Sequence, residues 1–225
     1  MLAQHVASGA VAPPCSLHLV EEINHRVVNE FSEAISMLSL AAARAESAGA
    51  RESLENAAER LRDHAASHRA LLPPFVPGTA NIAEYLAQIC QSFTKATLAD
   101  RGVRLILRSD DIVMPVERCW RLGLVISELV RNAARHGLKG KSGTILVRVS
   151  ERDGTIAAMV SDDGAAAPDS LPGRGQQLTR ALVADLDGTI EWSLTPEGSH
   201  VRMHFSRRED FRIAQPVCQP ARAMA

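Results

Sequence analysis

An apolar repeat of seven residues near the N-terminus constrains the fold more than any other feature of the sequence. The repeat and its alternate positions consist of Val20, Val27, Phe31, Ala34, Leu38 and Ala41. This spacing keeps the side chains on one side of a helix and is typical of helices that pack against other helices. We therefore predict a long first helix, which Ser16 caps and Gly49 ends.

A second amphipathic helix is predicted to begin at Arg51 and to end before Pro73. Its apolar stripe consists of Leu54, Ala58, Leu61, Ala65, His68 and Leu72. Two helices joined by a short turn form a hairpin, but one hairpin leaves an apolar face uncovered. Two copies would cover that face as a four-helix bundle, so the sequence predicts a homodimer.

The remainder of the chain predicts a sheet with helices on one face. Helices are expected at 82–98, 115–137 and 176–186, and strands at 103–107, 144–150, 155–161, 189–194 and 200–205. The predicted fold class is α+β: a helical hairpin forming a dimeric four-helix bundle, followed by an α/β sandwich. The expected domains are a flexible leader at 1–15, the hairpin at 16–73, the sandwich at 79–207 and a flexible tail at 208–225.

Composition excludes several classes of protein. A net charge of -1 and an aromatic content of 4% argue against nucleic-acid binding. No apolar run approaches the roughly 20 residues that span a bilayer, so we expect no membrane insertion. Four scattered cysteines without metal spacing indicate reduced thiols and a cytoplasmic protein. A membrane sensor would then belong to a separate sensor protein.

His25 lies beside the apolar stripe of the first helix, where we expect it to face solvent. A neutral imidazole has a nucleophilic nitrogen near pH 7. An isolated histidine of this kind is more often an ordinary surface residue. Its interpretation therefore depends on the rest of the chain.

Three polar stretches in the second half have the residue types that bind a nucleotide. In the first, Glu128, Asn132 and His136 (or Arg135) follow one another at one-turn spacing. A carboxylate and an amide oxygen are ligands that suit a magnesium-bound phosphate chain. A polar helix face would have the same spacing.

The other two stretches contain glycine. Asp162 ends a predicted strand shortly before Gly164, where a carboxylate can accept a hydrogen bond from an adenine amino group. Gly173 and Gly175 precede a predicted helix, whose N-terminus suits a phosphate. Each pattern is common when it occurs alone.

In their order and spacing, the three stretches resemble the N, G1 and G2 boxes of the Bergerat-type (GHKL) ATP-binding domain of histidine kinases. The segment 22–29, EINHRVVN, is similar to the phosphoacceptor motif ELNHRVKNN of the HisKA_2/HWE-type subfamily. The resemblance covers about residues 17–206. It implies ATP and Mg²⁺ as cofactors and a response-regulator receiver domain as partner.

The resemblance also implies roles for individual residues. His25 would be phosphorylated, and Asn29 would act in transfer or dephosphorylation. Arg26 stands where many histidine kinases have a carboxylate base, so the base would be Glu22 or Glu128. Residues that would bind the nucleotide or its metal are Glu128, Asn132, Arg135, His136, Asp162, Gly164, Gly173 and Gly175, with Glu128 and Asn132 as the metal ligands.

Departures from the family pattern affect the nucleotide site more than His25. Ala166 replaces the usual second glycine of the G1 box, and only four residues separate Pro168 from Gly173, which leaves a short lid. We expect weak ATP binding, with a dissociation constant near about 1 mM. Near the acceptor, Val28 replaces the usual lysine and Glu30 an asparagine.

The sequence thus predicts a histidine kinase that phosphorylates His25 and passes the phosphoryl group to a receiver aspartate. The alternative is a dimeric histidine phosphotransferase that keeps a degenerate ATP domain and does not use ATP. A general ATPase of the same fold would leave the His25 motif without a role.

Overall fold

Two long helices begin the fold in the computed structural model, which describes residues 15–74, 78–165 and 174–207. Helix α1 spans Cys15–Arg44 and α2 spans Ala48–Ala70. For residues 15–21 and 174 only the backbone is described. Most of the predicted leader, the tail from residue 208 and Gly173 lie outside the described residues. No helix within the described ranges is long and apolar enough to cross a membrane.

The turn between the two helices differs from the prediction. The Ser47 side chain caps α2 by accepting a hydrogen bond from the Ala50 N–H at 3.1 Å. Gly49 therefore lies in the first turn of α2, and the prediction that it ends the first helix is wrong. Ser47, rather than Gly49, thus marks where the second helix begins after the turn.

The side of α1 that faces α2 coincides only in part with the predicted stripe: Phe31 of the stripe contacts His68 of α2, but the buried residues are neighbours of stripe positions. Val28 and Ala42 are buried, whereas the predicted positions are half-buried or exposed: Val27, Phe31, Ala34, Leu38 and Ala41. The stripe of α2 is confirmed at Ala58, Ala65 and Leu72, which are buried. A second apolar strip of α1 remains open, since Ile23, Met37 and Leu40 are 51%, 64% and 53% exposed.

The second half contains a five-stranded sheet in the order β2-β4-β5-β7-β6. Its strands span Val103–Ser109 (β2), Gly143–Arg152 (β4), Thr155–Asp162 (β5), Thr189–Thr195 (β6) and Gly198–Ser206 (β7). The β2–β4 pair is parallel and the other pairs are antiparallel. Two short strands that were not predicted, Thr79–Asn81 (β1) and Val113–Pro115 (β3), form a separate antiparallel pair.

Three helices accompany the sheet and confirm the α+β class. They span Ile82–Phe93 (α3), Val116–Asn132 (α4) and Arg174–Asp185 (α5). Apolar residues of the helices and of one sheet face share a single core, which includes Leu86, Leu122, Ile126, Ile145, Ile156 and Leu186. Both α3 and α4 continue into π-helical turns, at Thr94–Leu98 and Ala133–Gly137.

Two buried side chains join the hairpin to the sandwich. Trp120 Nε1 donates a hydrogen bond to the Leu71 carbonyl at 2.8 Å, and the Tyr85 hydroxyl donates to the Leu72 carbonyl at 3.0 Å. The carbonyls just after a helix have no intrahelical partner and need such donors. Burial, with a smaller contribution from Cys119, raises the pKa of Tyr85 and keeps its hydroxyl protonated.

His68 packs at the same junction. Its ring centroid lies 5.4 Å from that of Phe31 on α1. Burial lowers the pKa of His68 from its ordinary 6.5, and the charges of Arg131 and His64 lower it further. The imidazole is therefore a neutral packing group near pH 7, as the sequence predicts.

Replacement of Tyr85 by Phe should lower the free energy of unfolding by about 1–3 kcal/mol, because it leaves the buried Leu72 carbonyl without a donor. Urea unfolding measures the difference. Ser193→Ala, which removes an exposed hydroxyl on β6, should change stability by less than about 0.5 kcal/mol. Equal losses in the two variants would show that the Tyr85 bond contributes nothing.

Acidification should destabilise the wild type more than a His68→Leu variant. Because the folded state lowers the pKa of His68, the unfolded chain binds the proton more readily. This contribution to stability is present above pH 6.5 and is lost as the pH falls below it. Unfolding midpoints measured from pH 7.5 down to 5 for both proteins test the sign. Parallel pH profiles would contradict it.

Candidate functional site

The end of α4 carries the first predicted stretch. Glu128 and Asn132 lie one turn apart and are half-buried, whereas Arg135 and His136 are exposed in the π turn that follows. The Leu138 N–H closes this turn on the Ala133 carbonyl at 2.9 Å. A π turn contains one residue more than an α turn. From residue 133 on, the chain therefore no longer follows the α-helical spacing that predicts His136 in line with Glu128 and Asn132.

Asp162 is held at the end of β5 and is 5% exposed. One carboxylate oxygen accepts a hydrogen bond from the Gly164 N–H at 3.0 Å, and the other accepts from the Ser199 hydroxyl. A buried carboxylate needs such partners, because desolvation without them is costly. These bonds fix its orientation and leave further lone pairs for a ligand.

Two glycines let the end of the α4 helix approach Asp162. A Cβ atom at Gly137 would overlap the Asp162 carboxylate, and one at Gly164 would overlap the Gly137 carbonyl. The Ala165 N–H also donates to the Gly137 carbonyl at 3.1 Å. The structure therefore brings the first and second predicted stretches into direct contact.

The third stretch meets the first at the start of α5. A Cβ atom at Gly175 would overlap Glu128 Oε1 and would lie 3.6 Å from the Asn132 amide nitrogen. The first turn of α5 is held in place by the Thr179 hydroxyl, which donates to the Gly175 carbonyl at 2.8 Å. The helix N-terminus, which favours negative charge, thus lies beside the two predicted metal ligands.

The residues present fit a magnesium–nucleotide complex. Glu128 and Asn132 provide a carboxylate and an amide, and Mg²⁺ commonly takes one or two protein ligands together with phosphate oxygens. The described residues contain no group of three or more His, Cys, Asp or Glu side chains that could hold a metal ion.

Several residues near this contact were not found from the sequence. Ser199 reaches Asp162 because β5 and β7 pair in that register, a tertiary feature without a local signal. An open pocket of about 240 Å³ beside Gly137 and Gly164 is lined by Lys139 and Lys141. In the sequence, two lysines in a glycine-containing loop are only a weak signal of such a pocket.

His25 lies on α1 and is exposed, as is Asn29 one turn further along. Glu22 and Arg26, which flank His25 in the sequence, form an ion pair of 2.6 Å with both side chains more than half exposed. Glu22, one of the two predicted bases, is thus held by an arginine in this conformation. His25 and Asp162 belong to different parts of the chain, the first helix and the end of β5.

Two family models match the chain. One, described as "Histidine kinase", matches residues 22–97, and the other, described as "Histidine kinase-like ATPase domain", matches residues 80–205. The first match includes His25, and the second includes Glu128, Asn132, Asp162 and Gly175.

Similar proteins agree with these matches. The sensor histidine kinase PdtaS of Mycobacterium tuberculosis is 31% identical over 182 residues, which cover 76% of this chain and 36% of that protein. The chain therefore spans about a third of that relative's length.

Solved structures share the fold. The histidine kinase domain of the blue-light-activated kinase EL346 from Erythrobacter litoralis has a TM-score of 0.55 and 20% identity, covering 78% of this chain and 96% of that one. A structure described as a bacterial phosphotransferase has a TM-score of 0.60 and 11% identity, covering 85% and 97%. The ATPase-domain match extends over more than half of the chain, and the same fold is found in a histidine kinase domain. The chain belongs to the histidine kinase family.

Proposed function

We propose that the chain phosphorylates His25 with ATP and transfers the phosphoryl group to an aspartate of a response-regulator receiver domain. One observation supports this most strongly. Three separate stretches, containing Glu128 with Asn132, Asp162 and Gly175, meet within one domain, while an exposed histidine lies on the other. This arrangement provides a nucleotide site and a nucleophile.

In the proposed nucleotide site, Asp162 accepts a hydrogen bond from the adenine amino group. Its bonds from Gly164 and Ser199 hold the carboxylate in position, so little reorganisation is needed on binding. Mg²⁺ held by Glu128 and Asn132 would neutralise charge on the phosphate oxygens. The glycines Gly173 and Gly175 would lie at the phosphates. The exposed Arg135 would add positive charge nearby, and His136 beside it would offer a ring nitrogen for hydrogen bonding.

The proposed reaction has two steps. A ring nitrogen of His25 attacks the γ-phosphorus of ATP, the bond from that phosphorus to the bridging oxygen breaks, ADP leaves, and the imidazole loses a proton. A carboxylate oxygen of the receiver aspartate then attacks the phosphorus, and the P–N bond breaks. Positioning and charge neutralisation would supply most of the acceleration.

The proton acceptor in the first step would be Glu22 or Glu128. Each carboxylate lies near an arginine: Glu22 at 2.6 Å from Arg26 and Glu128 at 3.3 Å from Arg131. Asn29, exposed one turn after His25, would orient water or the receiver aspartate.

We further propose that the active form is a homodimer. In a single chain, three large apolar side chains of α1, Ile23, Met37 and Leu40, are more than half exposed. The half-buried Val27 and Ala34 extend this strip. A second hairpin packed against the strip would bury it in a four-helix bundle.

The second candidate is a phosphotransferase that receives phosphate on His25 from one receiver and gives it to another. The sequence feature that favours it is the short segment between Pro168 and Gly173 with Ala166 before it. All of these residues, 166–173, lie outside the described residues. ATP binding separates this candidate from the kinase.

His25→Gln should abolish labelling of the protein by radiolabelled ATP and magnesium, because the variant lacks the nucleophilic nitrogen. The matched control is His68→Gln, which removes a half-buried histidine near the same helices and should still be labelled. Autoradiography of both variants beside the wild type, with dimerisation checked by gel filtration, measures the outcome. Loss of label in His68→Gln with label retained in His25→Gln would contradict the assignment.

Asp162→Asn should weaken ATP binding by about tenfold or more, because the amide presents a donor where a carboxylate oxygen accepts. Asp163→Asn is the matched control, since Asp163 is exposed and accepts instead from the Thr144 N–H of β4 at 2.7 Å. Titration calorimetry with ATP and magnesium measures both variants, with the wild-type dissociation constant expected near about 1 mM.

Equal effects of the two aspartate substitutions would contradict the assignment of Asp162. Absence of wild-type binding at several millimolar ATP, with His25 still accepting phosphate from a phosphorylated receiver, would instead support the phosphotransferase.

A further inference from the structure

One side of the five-stranded sheet is not covered by helices, and we call it the open sheet face. Residues on the opposite side of the sheet are buried or half-buried against the helices, whereas most residues of this side, apart from Ser161 and Gly198, are exposed or half-exposed. Its exposed arginines come from three strands: Arg104, Arg108, Arg148, Arg152 and Arg202. Glu191 is its one carboxylate within the described strands. The face is therefore strongly basic in a chain whose net charge is -1.

The strand register places these charges in one row. Arg108 lies directly opposite Arg148, Arg148 opposite Met159, and Met159 opposite Arg202, and the row ends on β6 with Glu191 opposite Arg202. Like charges directly opposite each other across a strand pair reduce stability. No carboxylate of the described residues lies within 4.0 Å of these arginines. The isolated chain thus contains an Arg108–Arg148 repulsion that its own described residues do not neutralise.

Apolar side chains lie between the arginines. Ile106 is 36% exposed and lies opposite the half-buried Leu146. With Met159 they form a small apolar centre flanked by guanidinium groups. An apolar centre with a charged rim, rich in Arg and Met, is the usual anatomy of a protein–protein interface. Five strands of about seven residues also give a face of roughly 20 Å on each edge, the scale of one side of a small interface.

We propose that the open sheet face is a docking surface for a folded protein domain with an acidic surface. Carboxylates of such a partner would pair with Arg108 and Arg148 and remove their mutual repulsion, and Arg202 would provide a further cation at the other end of the row. The partner's apolar side chains would cover Ile106 and Leu146. This contact is separate from the nucleotide site and from His25, so it adds a partner to the proposed function without depending on that function.

Two other polyanions fit the face less well. The residues of the face include no Phe, Tyr or Trp, and Trp192 of β6 instead packs under Arg180 at 4.4 Å on the helical side. Single-stranded nucleic acid binds through such stacking platforms. The net charge of -1 also means that the rest of the molecule repels a long polyanion or an anionic membrane.

Arg148→Glu tests the docking surface, and its expected result differs from that of a variant that misfolds. Glutamate beside Arg108 replaces a repulsion with an attraction, so the variant should unfold at a higher temperature than the wild type while it loses the partner. The matched control is the pair Lys95→Glu and Arg101→Glu, which changes two exposed cations of the helical side and should leave the partner bound.

Photo-crosslinking in cells that make the full chain identifies the partner. A benzoylphenylalanine at Ile106 should form a covalent adduct with a protein, and one at Val113, which is 47% exposed on the separate β1–β3 pair, should not form the same adduct. The adduct should disappear when Arg148→Glu is added. The purified partner should then bind the chain with an affinity that falls about tenfold or more in Arg148→Glu and weakens with salt.

Three results would overturn the proposal. These are an Ile106 adduct with nucleic acid or lipid, the absence of any protein adduct that depends on Arg148, and an equal loss of partner binding in the Lys95→Glu/Arg101→Glu control. Each can be read whether or not His25 is phosphorylated.

Discussion

The contact between Gly137 and Asp162 is the interaction on which the candidate nucleotide site depends. It requires a helix end without a Cβ atom to touch a buried carboxylate at the end of a neighbouring strand. A Cβ atom at position 137 would overlap the Asp162 carboxylate, so either that carboxylate or the turn after α4 would have to move. A movement of the turn would be passed to Glu128 and Asn132, which lie on the helix before it and meet Gly175 of α5. One close approach therefore sets the geometry of all three stretches.

The secondary structure could largely be predicted because it depends on local periodicity. The stripe of α2 and the alternation along β4 and β5 are repeated many times, so a few exceptions do not hide them. The three polar stretches could also be placed near one another, although only by resemblance to a family. Their mutual contacts involve glycines, whose tight packing has no signature beyond the residue itself.

Other features could not be predicted because they depend on competition between neighbours. Val28 is buried and Val27 only half-buried, and two adjacent valines give no local signal of which one packs inward. Ser199 contacts Asp162 only through the β5–β7 register. The turn after α1 is set by the cap at Ser47, which outweighs the nearby glycine. In each case the outcome depends on a residue far away in the sequence, or on a choice between two neighbouring residues of similar character.

The π turn at 133–137 affects the geometry of the candidate site more than it affects the folding of the domain. It has one more residue than an α-helical ending would need, and this surplus carries the chain to Gly137 at the Asp162 carboxylate. A chain one residue shorter here could close an ordinary α-helical turn and retain most of its core. The glycine equivalent to Gly137 would then no longer lie against the carboxylate. Length variation at this point would thus give relatives that fold alike but differ in whether they hold a nucleotide.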